Sequence, residues 1–582
     1  MIITAETNLE INQDFKIEAG PGAGKTKWLV NHINNVLQNS DRLSCVRKIA
    51  CITYTNTAVE TILKRLGKGA SNKVEVSTIH SFLYNNVVKP YCSFLSDEYN
   101  VCSSKVKGHD EPFVNPKIVS QWLEIGKFDA LKHPNSKKQL LKLPVQKKAL
   151  SNWLLTIRCN LDSDNIYFKG DSTKANAYDK TKKRIAIKSS NLDILQDGLL
   201  EYKKMYWKNG KLDHEDILFF SYILIKENPF ILAVLRAKFP YFYIDEFQDT
   251  NPIQSFILDE IRKTESNIGV IGDKAQAIYG FQGADVHQFT NFQIEPLNLH
   301  TIIENHRSSN QIIKFLNSIR KDIEQDSCEN VDDINVTLII GDRNLAYSKA
   351  KQMCNNEVLV SLSRDNVTSN AMKVVVEDNN LDKKFLENYS EYDSNNDRRN
   401  HISSFIQAVE LAENSRYKEA IKKIEWIYGK KSNSQKQALS NLAILLKKYD
   451  EYSNGTLMDF YNILCNSLNF SLSKFKGGSI KEFYENTLYR KMAICVNIIE
   501  DTSNHITIHK SKGAEYGNVF VVGNQDMLNL LLKSDLENNE EHRVFYVAVS
   551  RAKKKLFIQL ENLKDIDEKK LTDKYVITLN RI

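Results

Sequence analysis

An α/β fold built on parallel sheets is predicted from three observations. An apolar run at 15–17 leads into Ala19-Gly20-Pro21-Gly22-Ala23-Gly24-Lys25-Thr26, after which 28–33 reads as a helix. Strand-like and helix-like runs then alternate through 48–82. Further on, the apolar run 239–244 ends in paired acids, Asp245-Glu246. Strands alternating with helices imply a parallel sheet. Ligand-binding loops lie at the C-terminal ends of such strands, where each of these polar signals sits.

Strand, small-residue loop, Gly-Lys-Thr and helix together give the context of a phosphate-binding P-loop. Small residues let backbone N–H groups crowd around a triphosphate, and the helix N-terminus adds partial positive charge. Lys25 is placed to neutralise the β- and γ-phosphates of ATP, and Thr26 to hold Mg²⁺. The first consensus glycine is Ala19 here.

The run 48–56 reads as a buried strand with a polar end, 57–66 as a helix stopped by Gly67, and 74–82 as a short strand entering a helix. Tyr54, Asn56 and His80 fall where ligand loops belong. From 90 to 205 the pattern becomes helical and basic, with no strong strand run. Lys132, Lys137, Lys138, Lys142, Lys147 and Lys148 form one cluster; Lys180, Lys182, Lys183 and Arg184 form another. Trp153, Tyr167, Phe168 and Tyr178 lie among them. Basic residues with aromatics suit a strand of nucleic acid, and a solvated helical face over core aromatics suits the same pattern equally.

After the strand at 239–244, Asp245 would hold Mg²⁺ mostly through its water shell. Glu246 would orient and deprotonate the attacking water. A further strand at 267–273 leads to Gln276, placed to sense the γ-phosphate, and to Tyr279 and Phe281, rings for stacking bases. His287 and His300 have ordinary surface or core readings.

The chain has 582 residues, enough for several domains, and is 42% hydrophobic, so it can bury several cores. A net charge of +7 is compatible with nucleic acid without deciding for it. The 9 cysteines show no CxxC pair or Cys/His ligand spacing, so neither zinc nor an iron–sulfur cluster is expected. With no signal peptide and no apolar run of membrane-spanning length, a cytoplasmic protein without membrane contact is expected.

Several segments, in order, resemble motifs of the UvrD/PcrA/Rep family of superfamily 1 (1A) DNA helicases. They are TYTNTAVETILKRL at 53–66, TIHSF at 78–82, LDHEDIL at 212–218, IDEFQDTNPIQ at 244–254, IGDKAQAIYGFQGAD at 271–285, ENHRSSNQI at 304–312, ITIHKSKGAEYGNVFVV at 506–522 and EEHRVFYVAVSRAKKKLFI at 540–558. The resemblance implies two RecA-like P-loop domains with parallel sheets and ATP between them, each carrying a mainly helical inserted subdomain. Domain 1A is expected at 1–89 and 206–291, insertion 1B at 90–205, domain 2A at 292–379 and 500–582, and a reduced insertion 2B at 380–499. Strands of the second domain are expected at 335–341, 357–362, 518–522 and 554–560. The resemblance further implies that Arg307 and Arg551 act as arginine fingers, that Glu515 contacts the ribose, and that His306 stands where a Tyr stacks on adenine. Tyr54, His80, Tyr279, Phe281 and His509 match positions that contact the DNA strand.

Departures from the family are specific. The upstream Gln that reads adenine has no match, since Gln13 lies too close to Lys25, which leaves base selectivity open. The usual Trp-Arg of motif III is Phe281-Gln282, so one cation on the DNA side is missing. The second insertion shows no duplex-gripping hairpin sequence. The function implied is an ATP-dependent 3′–5′ single-stranded DNA translocase and helicase, acting on single-stranded or partly duplex DNA. Size and the reduced insertion also make the chain similar to GajB, the helicase-like subunit of the Gabija anti-phage system. That similarity implies the alternative of a DNA-sensing ATPase subunit that regulates a partner nuclease.

Overall fold

Strand Phe15–Ala19 lies inside a seven-stranded sheet in the computed structural model of the chain. The structure describes residues 1–582 apart from 68–71, 111, 127, 129–130, 132–139, 141, 179–182, 296–297, 356, 374–388, 390–391, 414–415, 429–432, 469, 476–477 and 497–503. Across the sheet the strands run Ile2–Ile3, Leu299–Ile302, Phe15–Ala19, Asn267–Gly272, Tyr241–Ile244, Ile49–Thr53 and Val74–Thr78, and every pairing is parallel. The phosphate-loop strand is therefore flanked by Asn267–Gly272, which leads into Gln276, and by Leu299–Ile302, which leads into Arg307. Ile49–Thr53 is buried along its whole length, as expected for a parallel strand covered on both faces.

A second, six-stranded sheet is also wholly parallel, in the order His505–Thr507, Leu359–Ser363, Tyr516–Val522, Ala552–Leu560, Val336–Ile340 and Ile577–Arg581. The four strands expected from sequence are present within a few residues of their expected limits. His505–Thr507 and Ile577–Arg581 are additions. The fold is the α/β class with two parallel sheets that the sequence predicts.

One expected boundary and one expected composition need correction. Leu299–Ile302 pairs with Phe15–Ala19, so the first sheet continues past 291 and takes in a stretch assigned to domain 2A. Its hydrogen-bond ladder decides this, and His300 is buried within it, a core reading for that histidine. The region 90–205, read as helical with no strong strand run, is mainly helical but contains two antiparallel hairpins: Arg158–Asp162 with Asn165–Lys169, and Asn176–Tyr178 with Arg184–Ala186. In the first, a two-residue turn at 163–164 places Ser163 at φ 54°, a conformation its sequence does not announce.

In the basic clusters, Lys132, Lys137, Lys138, Lys180 and Lys182 lie outside the described residues. Lys142, Lys147, Lys183 and Arg184 are exposed, whereas Trp153 and Phe168 are buried core rings. The described part of the second insertion is helical, including Asn396–Glu413, Ser434–Lys447 and Leu457–Ser467, around its own core of Phe405, Leu445, Phe460 and Tyr489. Among the described residues no single helix is long and apolar enough to cross a membrane.

Helix His214–Glu227 returns the chain from the first insertion to the first sheet. Asp213 caps it, with Asp216 completing the reciprocal capping box. Buried Lys203 pairs with both carboxyl groups, at 2.5 Å from Asp213 and 2.9 Å from Asp216. Removing one partner of a buried ion cluster leaves uncompensated charge in low dielectric. Lys203→Ala is expected to lower unfolding free energy by about 3–5 kcal/mol in a denaturant titration. A loss below about 1 kcal/mol, the level of a surface pair, would contradict the anchoring role.

Candidate nucleotide cleft and nucleic-acid groove

The loop after Phe15–Ala19 turns through two left-handed glycines, Gly22 at φ 75° and Gly24 at φ 80°. A Cβ on Gly22 would stand 2.7 Å from Asn305 Oδ1, so both conformation and space require glycine there. Helix Lys25–Asn39 starts immediately, with its N-terminus at the loop. Lys25 Nζ donates to the Ala19 and Gly20 carbonyls at 3.2 and 3.4 Å. Asn305 Nδ2 and Gln325 Nε2 both donate to the Pro21 carbonyl, at 3.1 and 2.9 Å, and hold the loop from outside. Gln325 carries no signal in the sequence, and Asn305, although it lies in the segment 304–312, has no role readable there, because both are polar side chains hundreds of residues away from the loop.

One cavity of about 650 Å³ is lined by Pro21, Gly22, Ala23, Gly24, Lys25 and Thr26 on one side, and by His306, Arg307, Glu515 and Arg551 with Glu246 and Gln276 around it. Ala19 and Gly20 are buried beneath it. Asp245 lines a smaller adjoining cavity of about 70 Å³ together with Thr26 and Glu246. Burial and the neighbouring Glu246 push the Asp245 carboxyl up to about 7. Burial acts the same way on Glu246, but Lys25 and Lys512 outweigh it and hold that carboxyl below its ordinary value. Gln248 Nε2 also donates to Glu246 Oε2. A buried carboxyl short of counter-charge beside a threonine hydroxyl is a set of hard oxygen donors that fits a divalent cation such as Mg²⁺.

The two arginines differ in environment. Arg551 is 2% exposed, and its Nη2 donates to Gln276 Oε1 at 2.7 Å. Burial, then Arg307, brings its guanidinium down to about 9, still cationic at neutral pH. Arg307 pairs with Glu515 at 2.8 Å and donates to the Ser550 carbonyl at 3.0 Å, while its Nε is buried without a hydrogen-bond partner. Although burial opposes it, Arg307 and Lys553 pull Glu515 down to about 2. The residue expected at the ribose is thus ion-paired to an expected finger. His306 is exposed, with Nε2 3.1 Å from Glu304 Oε2.

A second cavity, of about 470 Å³, gathers Tyr54, Asn56, His80 and Phe281 from the expected nucleic-acid set. Phe281 is 56% exposed and so is not a core ring. The His509 ring stands edge-on to it at 5.2 Å. Tyr279 departs from the expectation of an open ring: it is buried, stacks on Tyr54 at 4.6 Å, and has the Lys512 ammonium 4.8 Å from its centroid. Burial, reinforced by His214 and His109, lowers His80 to about 3, and burial with Arg364 lowers His509 to about 4. Both are neutral at physiological pH and offer hydrogen bonds or stacking rather than charge.

Lys512 joins the two cavities. Its ammonium donates to Asp249 and, at 2.7 Å, to the Gln276 carbonyl. Sequence reading assigned it no role, although it lies inside the segment 506–522.

Comparison with known proteins places these features in a lineage. A family model described as the UvrD/REP helicase N-terminal domain matches residues 4–296, and the UvrD-like helicase C-terminal domain matches residues 366–562. The chain is 24% identical to the ATP-dependent DNA helicase Rep of Buchnera aphidicola subsp. Baizongia pistaciae, over 93% of this chain and 88% of that protein. It is 22% identical to the ATP-dependent DNA helicase PcrA of Staphylococcus aureus, over 93% of this chain and 80% of that protein. A probable DNA helicase II homolog of Mycoplasma capricolum is 26% identical over 54% of this chain and 40% of its own length.

Exposure of the Phe281 ring separates stacking from packing. Phe281→Ala is expected to weaken binding of a single-stranded oligonucleotide by about 1–3 kcal/mol, the contribution of one stacked base, with an unchanged melting temperature. Unaltered affinity would remove the ring from the nucleic-acid path.

Proposed function

We propose that this chain, which belongs to the UvrD/REP helicase family, hydrolyses ATP in the cleft between two RecA-like domains and uses it to move 3′ to 5′ along single-stranded DNA. The observation that carries this reading is the 2.7 Å hydrogen bond from Arg551 to Gln276, which brings a cation beside the second sheet into the wall of the phosphate-loop cavity of the first. We take the first domain as the phosphate-loop sheet up to Ile302, the second as the six-stranded sheet, and 90–205 and 380–499 as their insertions.

The roles follow from position. The loop from Ala19 to Thr26 wraps the phosphates with backbone N–H groups, and Lys25 neutralises them. Thr26 and Asp245 hold the divalent cation, which when bound supplies positive charge at the phosphate oxygens. Glu246, kept ionised by Lys25 and Lys512, is the base that takes a proton from the attacking water. Gln276, Arg307 and Arg551 complete the charge stabilisation. Because these groups come from both sides, the set is complete only when the cleft is shut. His306 stacks on the base and Glu515 reaches the ribose. On the DNA side, Tyr54, Asn56, His80 and Phe281 line the track, with His509 edge-on to Phe281 and Tyr279 as the packing under Tyr54.

The test is ATP turnover with and without single-stranded DNA, followed by strand displacement on duplexes with 3′ or 5′ tails. Stimulated turnover with displacement from 3′ tails alone fits the proposal. Stimulated turnover with no displacement by the isolated chain would favour the other reading, an ATPase subunit whose cycle gates a partner nuclease. Lys25→Ala is expected to abolish nucleotide binding or turnover. Glu246→Gln is expected to keep ATP binding and lose turnover, and near-normal turnover would falsify the assigned base. Arg307→Ala and Arg551→Ala should each lower kcat on the order of 10³-fold while ATP affinity falls less. Normal hydrolysis in both would mean that the cleft is not the reaction site.

A further inference from the structure

Rings alone do not equip the groove for a polyanion. Its lining includes the acids Glu215 and Asp249, and His80, which is held neutral. At position 282, where the family resemblance leads one to look for a cation, the chain has Gln282, whose Oε1 accepts from the Tyr54 hydroxyl. Each nucleotide that passes brings a negative charge, and a groove that tracks the backbone has to neutralise part of it. Among the described residues that line this cavity, Arg158 is the single Lys or Arg.

Arg158 comes from the first insertion, at the start of the unexpected hairpin strand Arg158–Asp162. Its Nη2 donates to the Phe281 carbonyl at 3.4 Å, which ties the hairpin to the loop that carries the exposed ring. Its Nη1 donates to the Ile157 carbonyl at 3.1 Å and lies 3.7 Å from Glu215 Oε1, too far for a closed, bidentate ion pair. The Nε is buried and makes no hydrogen bond. Two of the five N–H groups of a guanidinium are used in these bonds and the Nε–H is buried, which leaves the second hydrogens of Nη1 and Nη2 to meet a ligand. The position is fixed from behind: Glu215 Oε2 accepts the Cys159 N–H at 2.8 Å, and Glu215 sits in the first turn of the helix whose cap Lys203 neutralises.

We propose that Arg158 is the phosphate-binding cation of this groove: its guanidinium, positioned by Glu215 and the Phe281 carbonyl, contacts a backbone phosphate of the bound strand from the side of the first insertion. The proposal rests on the reading of this cavity as the DNA track. It assigns to an insertion hairpin the charge that motif III lacks. It also makes the insertion and the motif III loop grip the same strand, one through charge and the other through stacking.

The experiment is equilibrium binding of a fluorescent oligothymidylate over a salt series, with melting temperatures, for the wild type, Arg158→Gln, Arg158→Lys and Phe281→Ala. Arg158→Gln is expected to reduce the slope of log K against log salt by about 0.7, one single-strand phosphate contact, and to weaken low-salt binding roughly tenfold or more, as for a lost charge-assisted hydrogen bond. Arg158→Lys, which keeps the charge, should keep the slope, and Phe281→Ala should lose affinity at constant slope. An unchanged slope in Arg158→Gln with weakened Phe281→Ala would overturn the proposal and leave the groove standing. Equal losses in Arg158→Gln and Arg158→Lys, with lowered melting temperatures and a wild-type slope, would make Arg158 a hairpin anchor and also overturn it. Wild-type binding by both Arg158→Gln and Phe281→Ala would remove the groove itself from the DNA path.

Discussion

A buried cation joins the two halves of this molecule. Arg551 directly precedes Ala552–Leu560 in the second sheet; its guanidinium donates to Val547, Ala514 and Ser550 on its own side and reaches across to Gln276 beside the first sheet. Gln276 Nε2 in turn donates to Asp273 Oδ2 at 2.6 Å, and Asp273 Oδ1 accepts from Arg320 Nη1 at 2.7 Å. Arg320 directly follows helix Asn310–Ile319. Two cations from one side thus meet one loop from the other in a buried network. Such networks are costly when half satisfied, because an unpaired charge in a low dielectric has nowhere to go. On the proposed reading, a triphosphate entering the cleft meets this network at Gln276 and Arg551.

The same loop also faces the nucleic-acid groove. Gln276 lines the phosphate-loop cavity and Phe281 the groove, while Tyr279 lies between them in the small cavity that also holds Thr26 and Asp245. Lys512 spans the short distance between them, bonded to Asp249 and to the Gln276 carbonyl with its ammonium against the Tyr279 ring. On the proposed reading, a change at the γ-phosphate has only this packed layer to cross before it reaches the strand. Coupling of hydrolysis to movement then needs no long pathway. It needs a two-state cleft whose wall is also the floor of the proposed DNA track.

What was legible in the sequence was chemistry held within a few residues of one strand. The loop from Ala19 to Thr26 and the acids after Tyr241–Ile244 announce themselves because strand, turn and functional group are contiguous. Leu299–Ile302 was misplaced because four residues of mixed polarity carry little period; pairing with Phe15–Ala19 makes it a strand. The Arg158–Asp162 hairpin escaped notice for a similar reason: its first strand is mostly polar, and its turn relies on Ser163 in a left-handed conformation. Tyr279 and Phe281, two residues apart in one motif, look equivalent in sequence but are buried and exposed respectively. The supports at Asn305, Gln325 and Lys203 depend on tertiary proximity, which no local pattern records.

The central claim is that Gln276 and Arg551 act as one unit across the cleft. A double-mutant cycle on ATP turnover tests it most directly, with Gln276→Ala, Arg551→Ala and the pair measured on the same DNA at saturating ATP. The account predicts strong non-additivity, with a coupling toward the upper part of the roughly 0.5–3 kcal/mol seen for contacting residues, and a double variant hardly slower than Arg551→Ala. Losses that simply add would show that the two residues act independently, and would contradict a cleft completed by their contact.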